Sequence, residues 1–315
     1  MAAGPSTALS GARLDRASKL RTDPEAVASL LGDPDARAVL VQDDTVLVSA
    51  NGRELARFAV PQPAGHTPLL LGLESGRALF GVDLDWLDAR DRERHATESH
   101  RMSLRDAALT LWPPESGLAA YLVALANWHR HHRHCANCGS VTEATEGGLV
   151  RHCPRCGRSH FPRTDPVVIM TVEAEGQLLL GRRAIWPAGR YSLLAGFVAP
   201  GETPEEAVSR EVREESGIEV MSADYVASQP WPFPASLMLG YSAQSRGGIP
   251  RCLDGELEDV RWFTRDEVMG ASQSDADWSS STCAQSSQLL LPSRVSIARS
   301  LIDWWLREPT ANRPE

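Results

Sequence analysis

Three textures of apolar and polar positions follow one another along the chain. From Ala38 to Leu84, short apolar runs alternate with turn residues. AVLVQDDTVLVSANGRELARF predicts two or three strands with Asn51-Gly52 as a hairpin turn, and TPLLLGLESGRALFGVDL predicts two more around Ser75-Gly76. From Thr97 to His134 the period lengthens to that of a helix. SLRDAALTLW is followed, after a Pro113-Pro114 break, by SGLAAYLVALANWHRHHRH, in which Leu118, Tyr121, Leu122, Leu125 and Trp128 share one face. Strands return in VVIMTVEAEGQLLLGRR, YSLLAGFV, ADYVASQPWPF, LMLGYSAQS and VRWF, and a last helix is expected over Ser293 to Leu306. A short helix is expected at Pro24 to Leu31, and the Ser-rich stretch from Ala271 to Ser287 reads as a mobile loop.

Among these strands lies GFVAPGETPEEAVSREVREESGI, Gly196 to Ile218. Thr203 with Glu206 three residues on is a capping box, and Pro204 suits the first helical position, so a helix is predicted from about Pro204 to Ser216 with Gly217 ending it. Steps of three and four residues put Glu211, Glu214 and Glu215 on one face of that helix. Acids at such spacing weaken a helix by a few tenths of a kcal/mol per pair, so the cluster implies a cation that it holds, and oxygen donors suit Mg²⁺ or Mn²⁺.

Charge narrows the picture further. The net charge of −9 excludes broad electrostatic affinity for nucleic acid or an anionic membrane, so a polyanionic substrate has to be drawn by local charge and metal. No apolar run approaches the roughly 18 residues of a membrane span, and the first sixteen residues lack a signal-peptide core, so a soluble, cytoplasmic protein is expected. In that setting Cys135-Ala-Asn-Cys138, fourteen intervening residues and Cys153-Pro-Arg-Cys156 read as a closed, structural Zn²⁺ site, one ion per chain, with Gly139 and Gly157 in the turns beside the sulfurs. His134 and His152 are not needed for that shell, and Cys252 and Cys283 read as ordinary thiols. The basic run HRHHRH reads as a helix C-terminus whose cations suit the dipole. Ser228-Gln-Pro-Trp-Pro-Phe-Pro-Ala-Ser236 is stiffened by three prolines and presents Trp231 and Phe233. Its chemistry fits equally a packed turn and a clamp for a planar ring.

The Gly196 to Ile218 stretch resembles the Nudix box with no departure at a signature position. The resemblance implies that Glu211 and Glu215 ligate metal, that Glu214 ligates metal or activates water, that Arg210 orients Glu202, and that the Ala195 carbonyl is a further ligand. SQPWPFPAS after the box, and WHRHHRHCANCG with a second CxxC, are similar to the NAD(H) diphosphatase branch of that family. That branch hydrolyses NAD(H) to nicotinamide mononucleotide and AMP, and its bacterial members remove NAD caps from the 5′ end of RNA as homodimers. By the same resemblance Gln229, Pro230, Trp231, Pro232, Phe233, Pro234, Ala235, Ser236 and Ala298 contact substrate, Phe197 stacks on a substrate ring, and Phe161 stands where relatives often carry Tyr. Glu256 matches a metal ligand outside the box, with Glu258 and Asp259 as neighbouring acids able to share that role, and two or three Mg²⁺ or Mn²⁺ ions are implied per site. The rival readings are a Nudix hydrolase of ADP-ribose or another nucleotide sugar, and a non-catalytic NAD- or nucleic-acid-binding regulator.

The fold implied is α+β: an N-terminal β-rich α+β domain over residues 1–96, a helical connector over 97–133, a zinc ribbon over 134–163, a Nudix α/β/α sandwich with a mixed sheet over 164–307, and a disordered tail over 308–315.

Overall fold

The structure is a computed structural model that describes residues 5–63, 65–253, 255–273 and 289–308. Most of the Ser-rich stretch, with Cys283, and all of the expected tail but Glu308 lie outside the described residues. The chain divides into two compact units. One comprises Leu9–Thr164 with Pro230–Ala235; the other comprises Asp165–Gln229 and Ser236–Glu315 with the segment ending at Ala8. Apart from residues 1–8, the segments read as N-terminal domain, connector and ribbon fall in the first.

That unit opens with helices α1 (Ser18–Arg21) and α2 (Pro24–Gly32). Asp23 caps α2 by accepting from the backbone N–H groups of Glu25 and Ala26, with Pro24 in the first turn, where a missing N–H costs nothing. A six-stranded sheet follows from β1 (Arg37–Gln42), β2 (Thr45–Val48), β3 (Phe58–Ala59), β4 (Leu69–Glu74), β5 (Arg77–Asp83) and β6 (His100–Ser103), in the order β4-β5-β1-β2-β6 with β3 on β1. The tight β1–β2 hairpin turns at Asp43-Asp44, with Asp43 at φ +53°, and Asn51-Gly52 turns a wider loop closed by the Ser49 N–H donating to the Glu54 carbonyl.

Two features depart from the pattern reading. Helix α3 (Ala89–Thr97) precedes β6, which lies inside the stretch expected to be helical and pairs antiparallel with β2. Four residues with half their positions exposed carry too little pattern to outweigh the helical signal beside them. After α4 (Leu104–Thr110), Pro113-Pro114 does not merely break the pattern but opens α5 (Pro113–His131) from within its first turn. The buried face of α5 includes Leu118, Leu122, Leu125 and Trp128, as the spacing requires. The ribbon strands β7 (Glu143–Thr145), β8 (Val150–His152) and β9 (Ser159–His160) form a small antiparallel sheet.

The second unit is built on β10 (Asp165–Ala174), whose last eight residues are all buried. With β11 (Gln177–Arg182), β12 (Leu194–Phe197), β13 (Val220–Trp231), β14 (Ser236–Ser245) and β15 (Asp259–Thr264) it makes a mixed sheet, β13-β14-β10-β11-β15 with β12 on β10. The two-residue alternation of β10 sends Val168, Met170 and Val172 to one face, against Ala207, Val208 and Val212 of α6 (Pro204–Ser216). Ile169 goes to the other face, against Leu301, Ile302 and Trp305 of α8 (Ile297–Arg307), beside Val268 of α7 (Arg265–Ser272). One helix layer on each face is the expected α/β/α sandwich.

The two six-stranded sheets share one topology. In each, the first strand pairs antiparallel with the second and third and parallel with the fifth, the fourth lies beside the fifth, and the sixth pairs with the second. In each, two helices follow the sixth strand among the described residues. The difference is the helix between third and fourth strands: α6 fills that place in the second unit, and no helix fills it among the described residues of the first.

Candidate active site and metal centres

Helix α6 spans Pro204–Ser216 with both halves of the capping box formed, and Gly217 caps it in the left-handed region at φ +70°. With Ala207, Val208 and Val212 committed to the core, the acids are left to the remaining surface. Glu214 is exposed, Glu211 is partly covered, and Glu215 is only 3% exposed. Gly196, in β12, lies against this face. A Cβ there would stand 1.8–2.1 Å from the carboxyl carbon and oxygens of Glu211, so the first glycine of the box is the space that the first acid occupies.

Arg210 ties the box together. Its Nε donates to Glu202 Oε1 (2.7 Å) and its Nη2 to Glu202 Oε2 (2.9 Å), a bidentate pair, while Nη1 donates to Glu211 (2.7 Å) and Glu214 (3.0 Å) and Nη2 also reaches the Phe197 carbonyl (2.9 Å). Glu202 further accepts from the Ala199 N–H (2.9 Å). The Arg210 guanidinium holds the Glu202 carboxyl down at about 2, so Glu202 is anionic throughout the working pH range. Burial pushes Glu211 the other way, against the pull of Arg210, and the negative charges of Glu214 and Glu256 add to the rise. A cluster in which one acid is raised by burial and by its neighbours' charge is one that a cation would relieve.

The three acids before and in β15 separate by partner. Glu256 is exposed, pairs with Arg183 (3.1 Å) and is the one whose charge acts on Glu211. Glu258 pairs with Arg182 (2.9 Å), and Asp259 accepts the Tyr191 hydroxyl, which is pushed up to about 12 by burial and by that carboxylate. Ala195 sits on β12 opposite Ile169, one residue before the Gly196 gap.

SQPWPFPAS joins β13 to β14 and contains a cis peptide bond between Phe233 and Pro234. The Trp231 and Phe233 rings meet edge to face at 5.1 Å, and the Arg105 guanidinium stands 4.2 Å from the Phe233 centroid and 5.1 Å from that of Trp231. Pro232 is buried, Pro230, Ala235 and Ser236 are half-buried, and Pro234 is exposed. Two of the expected substrate contacts have buried side chains. Gln229 is fully buried: its Nε2 donates to the carbonyls of Ala8 (3.0 Å) and Val295 (2.7 Å), and its Oε1 accepts from Ile297 N–H (2.7 Å), so its side-chain amide staples backbone. Ala298 is 2% exposed, packed in the first turn of α8 among the residues around Leu301. Phe161 and Phe197 are both exposed, at 69% and 62%.

Arg105 was not singled out by the sequence. It is one arginine in an ordinary amphipathic stretch, far from the loop in the chain, and no local pattern marks a long-range cation–π partner. Arg183, on Glu256, escaped for the same reason.

The cysteines form the second centre. Cys135, Cys138, Cys153 and Cys156 bring their sulfurs within 4.8 Å of one another, with Cys135–Cys156 and Cys138–Cys153 both at 3.5 Å. Zn–S bonds of about 2.3 Å in a tetrahedron separate sulfurs by about 3.8 Å, so the thiols lie close to the spacing zinc requires. Each pair sits in the same turn: the N–H of Gly139 donates to the Cys135 carbonyl and that of Gly157 to the Cys153 carbonyl, with both glycines at positive φ. His160 Nε2 lies 3.2 Å from Cys135 Sγ, a contact from outside the four-thiol set.

Comparison with known proteins follows the same division. A NUDIX domain profile matches residues 162–282, an NADH pyrophosphatase zinc ribbon profile matches 130–161, and an NADH pyrophosphatase-like rudimentary NUDIX domain profile matches 35–128, which accords with the repeated sheet topology. The chain is 39% identical over 305 residues to the NAD-capped RNA hydrolase NudC of Mycobacterium bovis, covering 94% of each. It is 37% identical over 241 residues to human NAD-capped RNA hydrolase NUDT12, covering 73% of this chain and 50% of that protein. Of the solved structures, a NUDIX hydrolase from Nitrosomonas europaea aligns at 27% identity over 42% of this chain and 78% of its own, with a TM-score of 0.38 that adds no argument. With a complete box on α6, a four-thiol ribbon, a second sheet of the same topology and a relative alike along nearly its whole length, the chain belongs to the Nudix hydrolase family, in its NADH pyrophosphatase and NAD-capped RNA hydrolase branch.

Proposed function

We propose that the protein hydrolyses the diphosphate bond of NAD(H) to nicotinamide mononucleotide and AMP, and removes NAD caps from the 5′ end of RNA. The observation that carries this reading is the 39% identity to an NAD-capped RNA hydrolase along 94% of both chains, joined to a box in which every acid is present. The Nudix domain implies a divalent metal, Mg²⁺ or Mn²⁺, and the ribbon with four close thiols a structural zinc. The box fits such an ion: Gly196 leaves the Glu211 carboxylate its space, and that carboxylate is raised by burial and neighbouring acids. Glu211, Glu215, Glu256 and the Ala195 carbonyl would hold it.

When bound, the metal offsets charge on the diphosphate and makes water nucleophilic near neutral pH. Glu214, the exposed acid of the face, ligates metal or takes the proton of the attacking water. Glu202, anionic and bidentate on Arg210, fixes the guanidinium that spans Glu211 and Glu214, so the acids keep their places. Trp231 and Phe233 supply the stacking surface for a substrate ring, with Phe161 and Phe197 as further open rings. On the same family resemblance, the working state is a homodimer in the cytoplasm; among the described residues no helix is long and apolar enough to cross a membrane.

Incubation with Mn²⁺ and separately with NADH, ADP-ribose and NAD-capped RNA, with the products identified, tests the reading. Nicotinamide mononucleotide and AMP from NADH, and a 5′-monophosphate end from capped RNA, are expected. Faster turnover of ADP-ribose would make the chain a nucleotide-sugar hydrolase, and no turnover of any of the three would make it a binder.

A further inference from the structure

A cavity of about 390 Å³ opens in the first unit, walled by the loop before β4, the 3-10 turn Leu84–Trp86, the end of α5 and the ribbon strand β7. That volume lies within the range of about 300–1,000 Å³ usual for small-molecule sites. Two chemistries meet there. The first is aromatic: His66 lies flat on Trp86, with centroids 4.9 Å apart and ring planes 1° from parallel, and the imidazole itself is exposed. The stack can accept another planar ring.

The second is cationic. Arg133 and Arg151 both line the cavity, and among the described residues neither forms an ion pair with a carboxylate. Arg151 is held rigidly: Nε donates to Thr142 Oγ1 (2.7 Å), Nη2 to the Thr142 carbonyl, and Nη1 to His129 Nδ1 (2.9 Å). His129 is buried and its Nε2 donates to the Gly148 carbonyl (2.6 Å), so it is a neutral acceptor for Arg151 and supplies no counter-charge. Desolvation and the nearby Arg133 both act against the charge of Arg151. The one acid among the lining residues is the exposed Glu143. Two guanidiniums that repel each other beside an open ring make a place for an anion that carries a ring.

We propose that this cavity is a binding site, outside the Nudix box, for a nucleoside 5′-monophosphate: the base extends the Trp86–His66 stack and the phosphate lies between Arg133 and Arg151. The HRHHRH run that ends α5 then serves more than the helix dipole, because Arg133 follows directly after it turns out of the helix.

Isothermal titration of the full-length zinc protein with AMP, without added Mg²⁺ or Mn²⁺, tests the site, with adenosine and inorganic phosphate as separate probes. Loss of a charge-assisted phosphate contact should weaken AMP by about tenfold or more in Arg133→Glu, with the melting temperature and NADH turnover unchanged. His66→Ala should weaken AMP and adenosine but not phosphate. Unchanged AMP affinity in both variants would overturn the proposal. So would AMP binding lost only in Trp231→Ala, phosphate binding as tight as AMP, or displacement of AMP by an unrelated oligoribonucleotide, which would make the cavity part of an RNA track.

Discussion

At Gly196 the hydrogen is the whole side chain because the Glu211 carboxylate takes the space a methyl would need. Gly196→Ala should therefore displace Glu211 without unfolding the sheet, raise the Mn²⁺ concentration needed for half-maximal turnover, and lower maximal turnover by about tenfold or more. A metal titration of activity reads both effects, and an unchanged Mn²⁺ dependence would refute the link. Glu215→Gln keeps the shape of a buried side chain and removes its charge, so turnover should fall by at least about two orders of magnitude while the melting temperature stays nearly constant. The local signals at this scale were legible: Thr203, Glu206 and Gly217 each do what their spacing predicts. Gln229 shows where legibility ends, since nothing in a proline-rich aromatic run marks the three-way bonding of its amide to the backbone of Ala8, Val295 and Ile297.

Elements read well where one periodicity ran long. Helices α5 and α6 and the strands of the second sheet follow their patterns, whereas β6 was lost because four half-exposed residues between two helices carry no strand signature of their own. Both cysteine turns of the ribbon are fixed by residues close in sequence, and for that reason the spacing alone located them. Zinc should contribute folding free energy outright there. Metal analysis of the purified protein should find about one zinc per chain, and Cys135→Ser should lower the melting temperature or solubility and lower activity only as a consequence. A variant as stable as the parent, or a parent without zinc, would refute a structural role.

The whole molecule carries a net charge of −9, so an RNA body has little to grip beyond local sites. Unpaired NAD-capped 5′ ends should be processed far faster than ends held in a duplex, because the cap has to leave the stack to reach the aromatic loop and the acids. Equal rates on matched single-stranded and blunt-duplex substrates would contradict this. Stability should also vary with pH in a definite sense. Burial pulls His129 down to about 4. An unfolded histidine titrates near 6.5, so between these values the unfolded chain binds a proton that the folded one refuses. The contribution is complete above about 6.5 and is lost as pH falls toward 4, by at most on the order of 3 kcal/mol. Urea unfolding at pH 5 and pH 7 should show the loss, and His129→Gln should flatten it. His66 and His95 are lowered by burial too and act in the same direction.

Two sheets of one topology in a single chain also raise a question of timing. During synthesis the first sheet is complete while the strands of the second are still being made, so β1 meets β5 before β14 exists to compete for its edge. Diluted from denaturant, both sets of strands become available at once, and each first strand faces two candidate partners of the same orientation. Order of emergence thus adds a discrimination between the copies to the one that strand length and register already make, five paired positions between β1 and β5 against nine between β10 and β14.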